Sequence, residues 1–286
     1  MITKGIFATQ AAHGGCRRLA RFIDRHRDLV VLTGAGLSTG SGIPDYRDED
    51  GKWKTAPPMQ YADFRASEQN RRRYWARSFS GWRRMAAARP NAAHRAIAEL
   101  ERLGYLRAVI TQNVDGLHRA AGSRNVIDLH GRLDEVRCMD CESTEARSRF
   151  QERLHDANPR WNASLAAIAP DGDAEIAGAS TDEFDVPACL SCGGVLKPDV
   201  VFFGERVPGG RVDAAMQALE RAQALLVIGS SLMVYSGYRF ARAANDAGLP
   251  IAIVNRGRTR ADAMATIRLG VDCEELLPQA IARLAA

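Results

Sequence analysis

Lysine is nearly missing from this chain. Lys4, Lys52, Lys54 and Lys197 are the only lysines among 39 basic residues, and the other 35 are arginine. The net charge of +5 is therefore a poor sign of a nucleic-acid partner. The arginines are scattered rather than blocked, and their bias beside abundant alanine fits a GC-rich coding sequence. The local cluster Arg71-Arg72-Arg73 reads as a solvated helix face. No apolar run approaches the roughly 18 residues of a membrane span, so no membrane association is expected. Residues 1–15 lack a secretory apolar core, so a cytoplasmic location is expected, or the mitochondrial matrix if the source is eukaryotic. Internal repeats and low-complexity linkers are also missing. The 286 residues, 46% hydrophobic and 26% charged, fit one large soluble domain or two unequal lobes.

A strict dinucleotide fingerprint is missing too. The apolar run Leu29–Leu32 reads as a buried strand and breaks into the glycine-rich stretch Gly34–Asp48. Gly34 and Gly36 carry no Cβ and tolerate positive φ, so the backbone can approach a phosphate there. The third glycine position is Thr39, however, with Gly40 one residue late. Trp53 and Lys54 stand where the ribose-binding acid and its strand would be expected. Nucleotide binding and a tight structural turn both remain open on this loop alone, and an ordinary dehydrogenase is disfavoured.

Around that loop the chain alternates apolar runs with helical patterns. The expected strands are Leu29–Thr33, Leu106–Thr111, Val126–Leu129, Leu225–Gly229 and Ile251–Asn255, with Thr266–Leu269 as a weaker sixth. Helices are expected over Ala92–Leu103, Val212–Ala222 and Tyr238–Ala247. This alternation predicts an α/β fold, a Rossmann-like doubly wound parallel sheet with a smaller zinc-ribbon and helical lobe. Ligands in such sheets lie beyond the carboxyl ends of the strands. Polar residues follow five of the runs: Gly34, Gln112-Asn113, His130, Gly229-Ser230-Ser231 and Asn255. The boundaries place the Rossmann-like part at about residues 16–50, 90–131 and 205–286. The smaller lobe then takes about 51–89, aromatic- and arginine-rich and helical, and 132–204, which holds the cysteine pairs.

Of six cysteines, Cys138 with Cys141 and Cys189 with Cys192 form two C-x-x-C pairs. Without a secretion signal this spacing favours a metal over disulfides. Two thiolate knuckles complete one tetrahedral Zn2+ site, and four protein ligands leave no open position, so the zinc is structural. The 47 residues between the pairs exceed the usual ribbon spacing of about 15–20, which implies an insertion on the ribbon. His130, at a strand end and followed by Gly131, suits general-base work. His118 completes no motif and reads as structural.

Several of these motifs together are similar to those of the sirtuins, NAD-dependent protein-lysine deacylases. They are GAGLSTGSGIPDYRD (Gly34–Asp48), TQNVDGLH (Thr111–His118), LHG (Leu129–Gly131), the two cysteine pairs, KPDVVFFGE (Lys197–Glu205), GSSLMVYSGY (Gly229–Tyr238) and VNRG (Val254–Gly257). They follow the family's order and span nearly the whole chain. Arg73–Arg77, Ala169–Asp173 and Val234–Phe240 resemble the class II branch, which includes a mitochondrial lipoamidase-like sirtuin. Tyr46 stands where many members carry Phe, and the class II branch shares it.

The resemblance implies the following roles. Gly34, Ala35, Gly36 and Ser38 hold the pyrophosphate of NAD. Pro44, Asp45, Tyr46 and Arg47 form a mobile loop over the nicotinamide ribose. Gln112, Asn113 and Asp115 line the nicotinamide pocket. Gly229, Ser230, Ser231, Asn255, Arg256 and Gly257 contact phosphate and adenosine ribose, and Cys273 sits by the adenine. Asn113 and His130 are catalytic, with His130 accepting a proton from the ribose hydroxyls as the acyl carbonyl oxygen takes nicotinamide's place. The products are nicotinamide, free lysine and O-acyl-ADP-ribose. An acyl-lysine protein or peptide adds as a strand between Val200–Phe203 and Gly229–Tyr235, touching Val201 and Phe202. Tyr74 and Arg77, a Y-x-x-R pair, would favour acidic or bulky acyl chains. A monomer is expected. ADP-ribosyl transfer to protein, lipoamide removal, a silent ADP-ribose-binding module and a zinc-ribbon nucleic-acid protein are the competing readings.

Overall fold

The computed structural model describes residues 3–54, 57–162, 164–168, 170–172, 174–177 and 180–284. Ala169 and Asp173, the ends of one motif noted above, lie outside them. The strands in chain order are β1 (Leu29–Thr33), β2 (Leu106–Thr111), β3 (Val126–Asp128), β4 (Gly131–Cys138), β5 (Thr144–Ala146), β6 (Ser164–Ile168), β7 (Ala174–Ala177), β8 (Leu196–Val200), β9 (Ala224–Ile228), β10 (Ile251–Val254) and β11 (Ile267–Leu269). The helices are α1 (Thr3–Arg25), α2 (Tyr61–Ala66), α3 (Glu68–Ala87), α4 (Ala92–Arg102), α5 (Leu117–Ala120), α6 (Arg147–Ala157), α7 (Gly209–Glu220), α8 (Tyr235–Asp246) and α9 (Cys273–Ala282).

Six parallel strands pair in the order β11-β10-β9-β1-β2-β3. Strand order therefore reverses between β1 and β9, the switch point at which doubly wound sheets bind ligands. The strands are buried on both faces because successive residues serve opposite layers. Leu29, Val31, Leu226 and Ile228 pack with α1, α4 and α9 on one side. Val30, Leu32, Leu225 and Val227 pack with α7 and α8 on the other. The strands expected from sequence are all present, each end within a residue of its expected place. Helices α7 and α8 begin three residues earlier than expected, since Gly209 and Tyr235 open them and neither residue belongs to an apolar stripe.

A smaller lobe holds the antiparallel sheet β5-β4-β8 and the hairpin β6-β7, with α2, α3 and α6. Its core is aromatic: Phe64, Tyr74, Trp75, Phe150, Phe184 and Phe202 pack with Cys138 and Cys189. Helix α3 owes its start to Ser67, whose hydroxyl accepts from the Asn70 N–H. Residues 57–60 precede α2 without helical structure. Register aligns the key strand ends: Thr33 stands opposite both Thr111 and Ile228, so Gly34, Gln112 and Gly229 emerge at one edge.

Candidate active site

The three loops at that edge lock together before any ligand is considered. The Gly36 N–H donates to the Gly229 carbonyl at 2.9 Å, and the Gly34 N–H donates to Ile228 at 3.2 Å. A Cβ at Gly36 would lie 2.9 Å from the Gly229 oxygen, and one at Gly34 would lie 2.8 Å from Ser230 Cβ. Glycine is required here by loop-to-loop contact. Gly34 itself is extended, φ −141°, so it is the missing Cβ and not a positive φ that the fold uses at this residue. Left-handed backbone occurs instead at Gly42 and Gly229, φ +81° and +60°. The segment after Gly34 makes two short 3-10 turns rather than a helix.

Polar side chains complete the edge. Gln112 Nε2 donates to the Thr33 carbonyl at 3.1 Å and to Ser230 Oγ at 2.8 Å. Asn113 Nδ2 donates to the Gly34 carbonyl and to Ser38 Oγ, at 3.1 and 3.0 Å. Ser38 in turn donates to Asp115 at 2.6 Å. Burial raises the Asp115 carboxyl above its ordinary range, against the pull of the bonds from Ser38 and Leu117 N–H.

These groups surround a cleft of about 640 Å³. Every cofactor-site residue named from the sequence lines it except Pro44, along with His130, Val201 and Phe202. Its other wall comes from 200–207 and Pro170-Asp171, and Met233 to Ser236 close one end. Asp45–Lys54 forms a flap. The Asp48 N–H donates to Lys52 and the Lys54 N–H to Tyr46, both at 2.9 Å. Tyr46, Trp53 and Phe203 meet edge to face at 5.4–5.9 Å, and the Arg47 guanidinium sits 4.1 Å from the Trp53 ring. Trp53 and Phe203 were not singled out as site residues, because nothing local in the sequence shows that the flap folds back.

His130 sits at the floor. Its Nδ1 lies 3.0 Å from the Gln112 carbonyl and its Nε2 lies 2.8 Å from Ser236 Oγ. A carbonyl only accepts, so Nδ1 carries the proton and Nε2 holds the lone pair. Burial is the main cause that pulls the imidazole down to about 4, and Arg211 and Arg239 add to it while the Gln112 bond opposes. His130 is thus a neutral base near pH 7. Cys273 lines the cleft but burial pushes its thiol up to about 12, which suits a packing residue and not a nucleophile.

Tyr74 and Arg77 are not among the residues that line the cleft. Tyr74 is 2% exposed and packs edge to face on Phe202 at 5.1 Å. Tyr74, Trp75, Ala76 and Ser78 form the buried face of α3, and through Phe202 the Tyr74 ring backs the cleft wall. His118 also lies off the cleft, on α5 as expected, 2.9 Å from Thr33 Oγ1.

The four pair cysteines meet in the smaller lobe, all Sγ atoms within 4.8 Å of one another. The Cys138–Cys192 and Cys141–Cys189 sulfurs are 3.6 and 3.8 Å apart. A disulfide needs about 2.05 Å, whereas tetrahedral Zn–S bonds of about 2.3 Å put sulfurs about 3.8 Å apart. The Asp140 and Ser191 N–H groups donate to Cys138 and Cys189 sulfur at 3.4 Å. A Ser143 hydroxyl bond and backbone N–H donors bring Cys189 down to about 6. The donor set fits one structural zinc ion.

The Sir2 family profile matches residues 34–236. A Bordetella bronchiseptica protein named NAD-dependent protein deacetylase is 55% identical over 263 residues, 92% of this chain and 96% of that protein. A Bradyrhizobium diazoefficiens protein named NAD-dependent protein deacetylase 2 is 56% identical over 259 residues, 91% and 95% of the two chains. Among solved structures, a Sir2 with p53 peptide and NAD+ superimposes with a TM-score of 0.76 at 30% identity, covering 94% of this chain and 98% of its own.

Proposed function

We propose, since the chain belongs to the Sir2 family, that it removes acyl groups from protein lysines while consuming NAD, releasing nicotinamide and O-acyl-ADP-ribose. The observation that carries the reading is the base in its setting. His130 presents a neutral Nε2 to a cleft walled by the glycine loops and by 200–207. Residues of both walls fit the two reactants: Gly34–Ser38, Gly229–Ser231 and Asn255–Gly257 would hold the dinucleotide, and Val201 and Phe202 the acyl-lysine.

When bound, NAD supplies a ribosyl electrophile with nicotinamide as leaving group. Asn113, held by Gly34 and Ser38, and Gln112, held by Thr33 and Ser230, are fixed before binding and orient the nicotinamide side. Tyr46, Trp53 and Phe203 cover that side and exclude water, which would otherwise take the place of the acyl oxygen. His130 accepts a ribose hydroxyl proton at Nε2. Conversion of the acetyl peptide with NAD should be abolished in His130→Tyr, while the variant still binds NAD in a thermal-shift titration. Retained turnover would overturn the role of His130. In the same reading the chain is one catalytic domain divided near the boundaries given above, acts as a cytoplasmic monomer on protein or peptide substrates, and has no specific nucleic-acid partner.

A further inference from the structure

Ser236 is the second residue of α8, and its neighbours leave its hydroxyl an unusual task. Serine near a helix start commonly accepts from the helix's own backbone N–H groups. In α8 the cap position is Val234, with no side-chain cap. The Ser236 hydroxyl instead meets His130 Nε2 at 2.8 Å, 106 residues away in sequence. Because Nδ1 already donates to Gln112, Ser236 must be the donor in this contact. Both imidazole nitrogens are therefore held, one from the loop after β2 and one from α8.

We propose that Ser236 is a positioning residue for the base: with the Nδ1–H tautomer set by the Gln112 carbonyl, it holds the His130 ring from the α8 side and keeps Nε2 unprotonated until a ribose hydroxyl replaces it. The inference rests on the deacylase reading above and deepens it. Close approach of α8 makes the contact feasible. Gly237 lies against Gln112, where an added Cβ would stand 2.3 Å from Oε1. The charged groups acting on His130 are Arg211 of α7 and Arg239 of α8, with Asp199 held by Arg211 at 3.0 Å. Neither arginine supplies a partner to Nε2, so among the described residues its hydrogen bond comes from the Ser236 hydroxyl. A hydrogen bond donated to Nε2 favours the neutral ring, and its loss should favour the cation. Atoms balance simply: Ser236 keeps its proton throughout, and the ribose hydroxyl proton goes to Nε2.

The test compares Ser236→Ala and Ser236→Thr with the parent. In Ser236→Ala, kcat for the acetyl peptide should fall about three- to tenfold, the size of one orienting hydrogen bond. KM for NAD should stay within about twofold, and the acidic limb of the kcat/KM profile should move to higher pH. Ser236→Thr should restore most of kcat. Imidazole 15N NMR reads the same device without turnover: in Ser236→Ala the His130 ring should keep the Nδ1–H tautomer set by Gln112 but titrate at higher pH. An unchanged kcat and acidic limb would overturn the proposal, as would a kcat loss with His130 titrating as in the parent. A parent that shows no NAD-dependent turnover would defeat the deacylase reading, while the NMR comparison would still decide the Ser236–His130 contact.

Discussion

At the scale of single residues, burial and hydrogen bonding decide what each titratable group can do. His130, His94 and His118 are all kept neutral by burial, at about 4, 4 and 3. His118 is also opposed by His94, whose ring lies 5.1 Å away, and His94 by Arg95. The sign of the pH effect follows. An unfolded histidine takes up its proton near 6.5, whereas these three do so only near 4 or below, so the unfolded state binds more protons in between. Stability is fully present above about pH 6.5 and is lost as pH falls towards 4 and below, on the order of 3–5 kcal/mol per histidine. The urea midpoint should therefore drop steeply between pH 7 and 5, and His118→Asn should flatten the slope. A flat parent profile would contradict the burial of neutral rings.

Part of this was legible in the sequence and part was not. His130 stood out because a strand end and Gly131 flank it. Its pairing with Ser236 was invisible, since the two belong to separate elements that only the sheet brings together. Tyr74 shows the opposite difficulty: helical spacing is the same for a substrate-facing pair and for a core stripe, and its ring packs on Phe64, Trp75 and Phe202.

At the scale of elements, the cleft depends on how closely loops approach. Gly36 and Gly229 touch through backbone atoms, so a methyl at Gly36 would press on the Gly229 O, C and Cα at 2.9–3.2 Å, with no flexible side chain to give way. Gly36→Ala should cost about 1–3 kcal/mol of stability and raise KM for NAD at least tenfold, read by urea melts and initial rates. A variant with the parent's KM would show that the contact does not shape the site. The strands of the main sheet were easy to read, because continuous apolar runs such as Leu29–Leu32 are the mark of parallel strands covered on both faces. Their polar sequels marked in advance the edge on which the cleft lies. The flap was not readable. Its closure depends on a single bridge between Arg47 and Trp53 and on ring contacts with Phe203, all made across turns that leave no period in the sequence.

At the scale of the whole molecule, a parallel sheet carries the glycine-loop edge of the cleft and a smaller lobe supplies the opposite wall. Cys138 and Cys189 lie in the same aromatic core as Phe202, which lines the cleft, so the zinc site supports that wall. Stripping zinc with a strong chelator should lower the melting temperature and abolish peptide turnover, because structural zinc binding is itself folding free energy. A metal-free protein with full activity would refute that coupling. The doubled cysteine spacing announced this site, but the length of insertion between the pairs hid which elements, β6 and β7 among them, would fill it.

The central claim is that cleavage of NAD and removal of the acyl group are one reaction carried out in this cleft. Its most direct test is a product balance by mass spectrometry on an acetyl-lysine peptide incubated with the zinc-loaded protein and NAD. The account predicts equal amounts of nicotinamide, deacylated peptide and O-acetyl-ADP-ribose. Peptide deacetylated without NAD, or NAD consumed with the acetyl group left on the peptide, would contradict it.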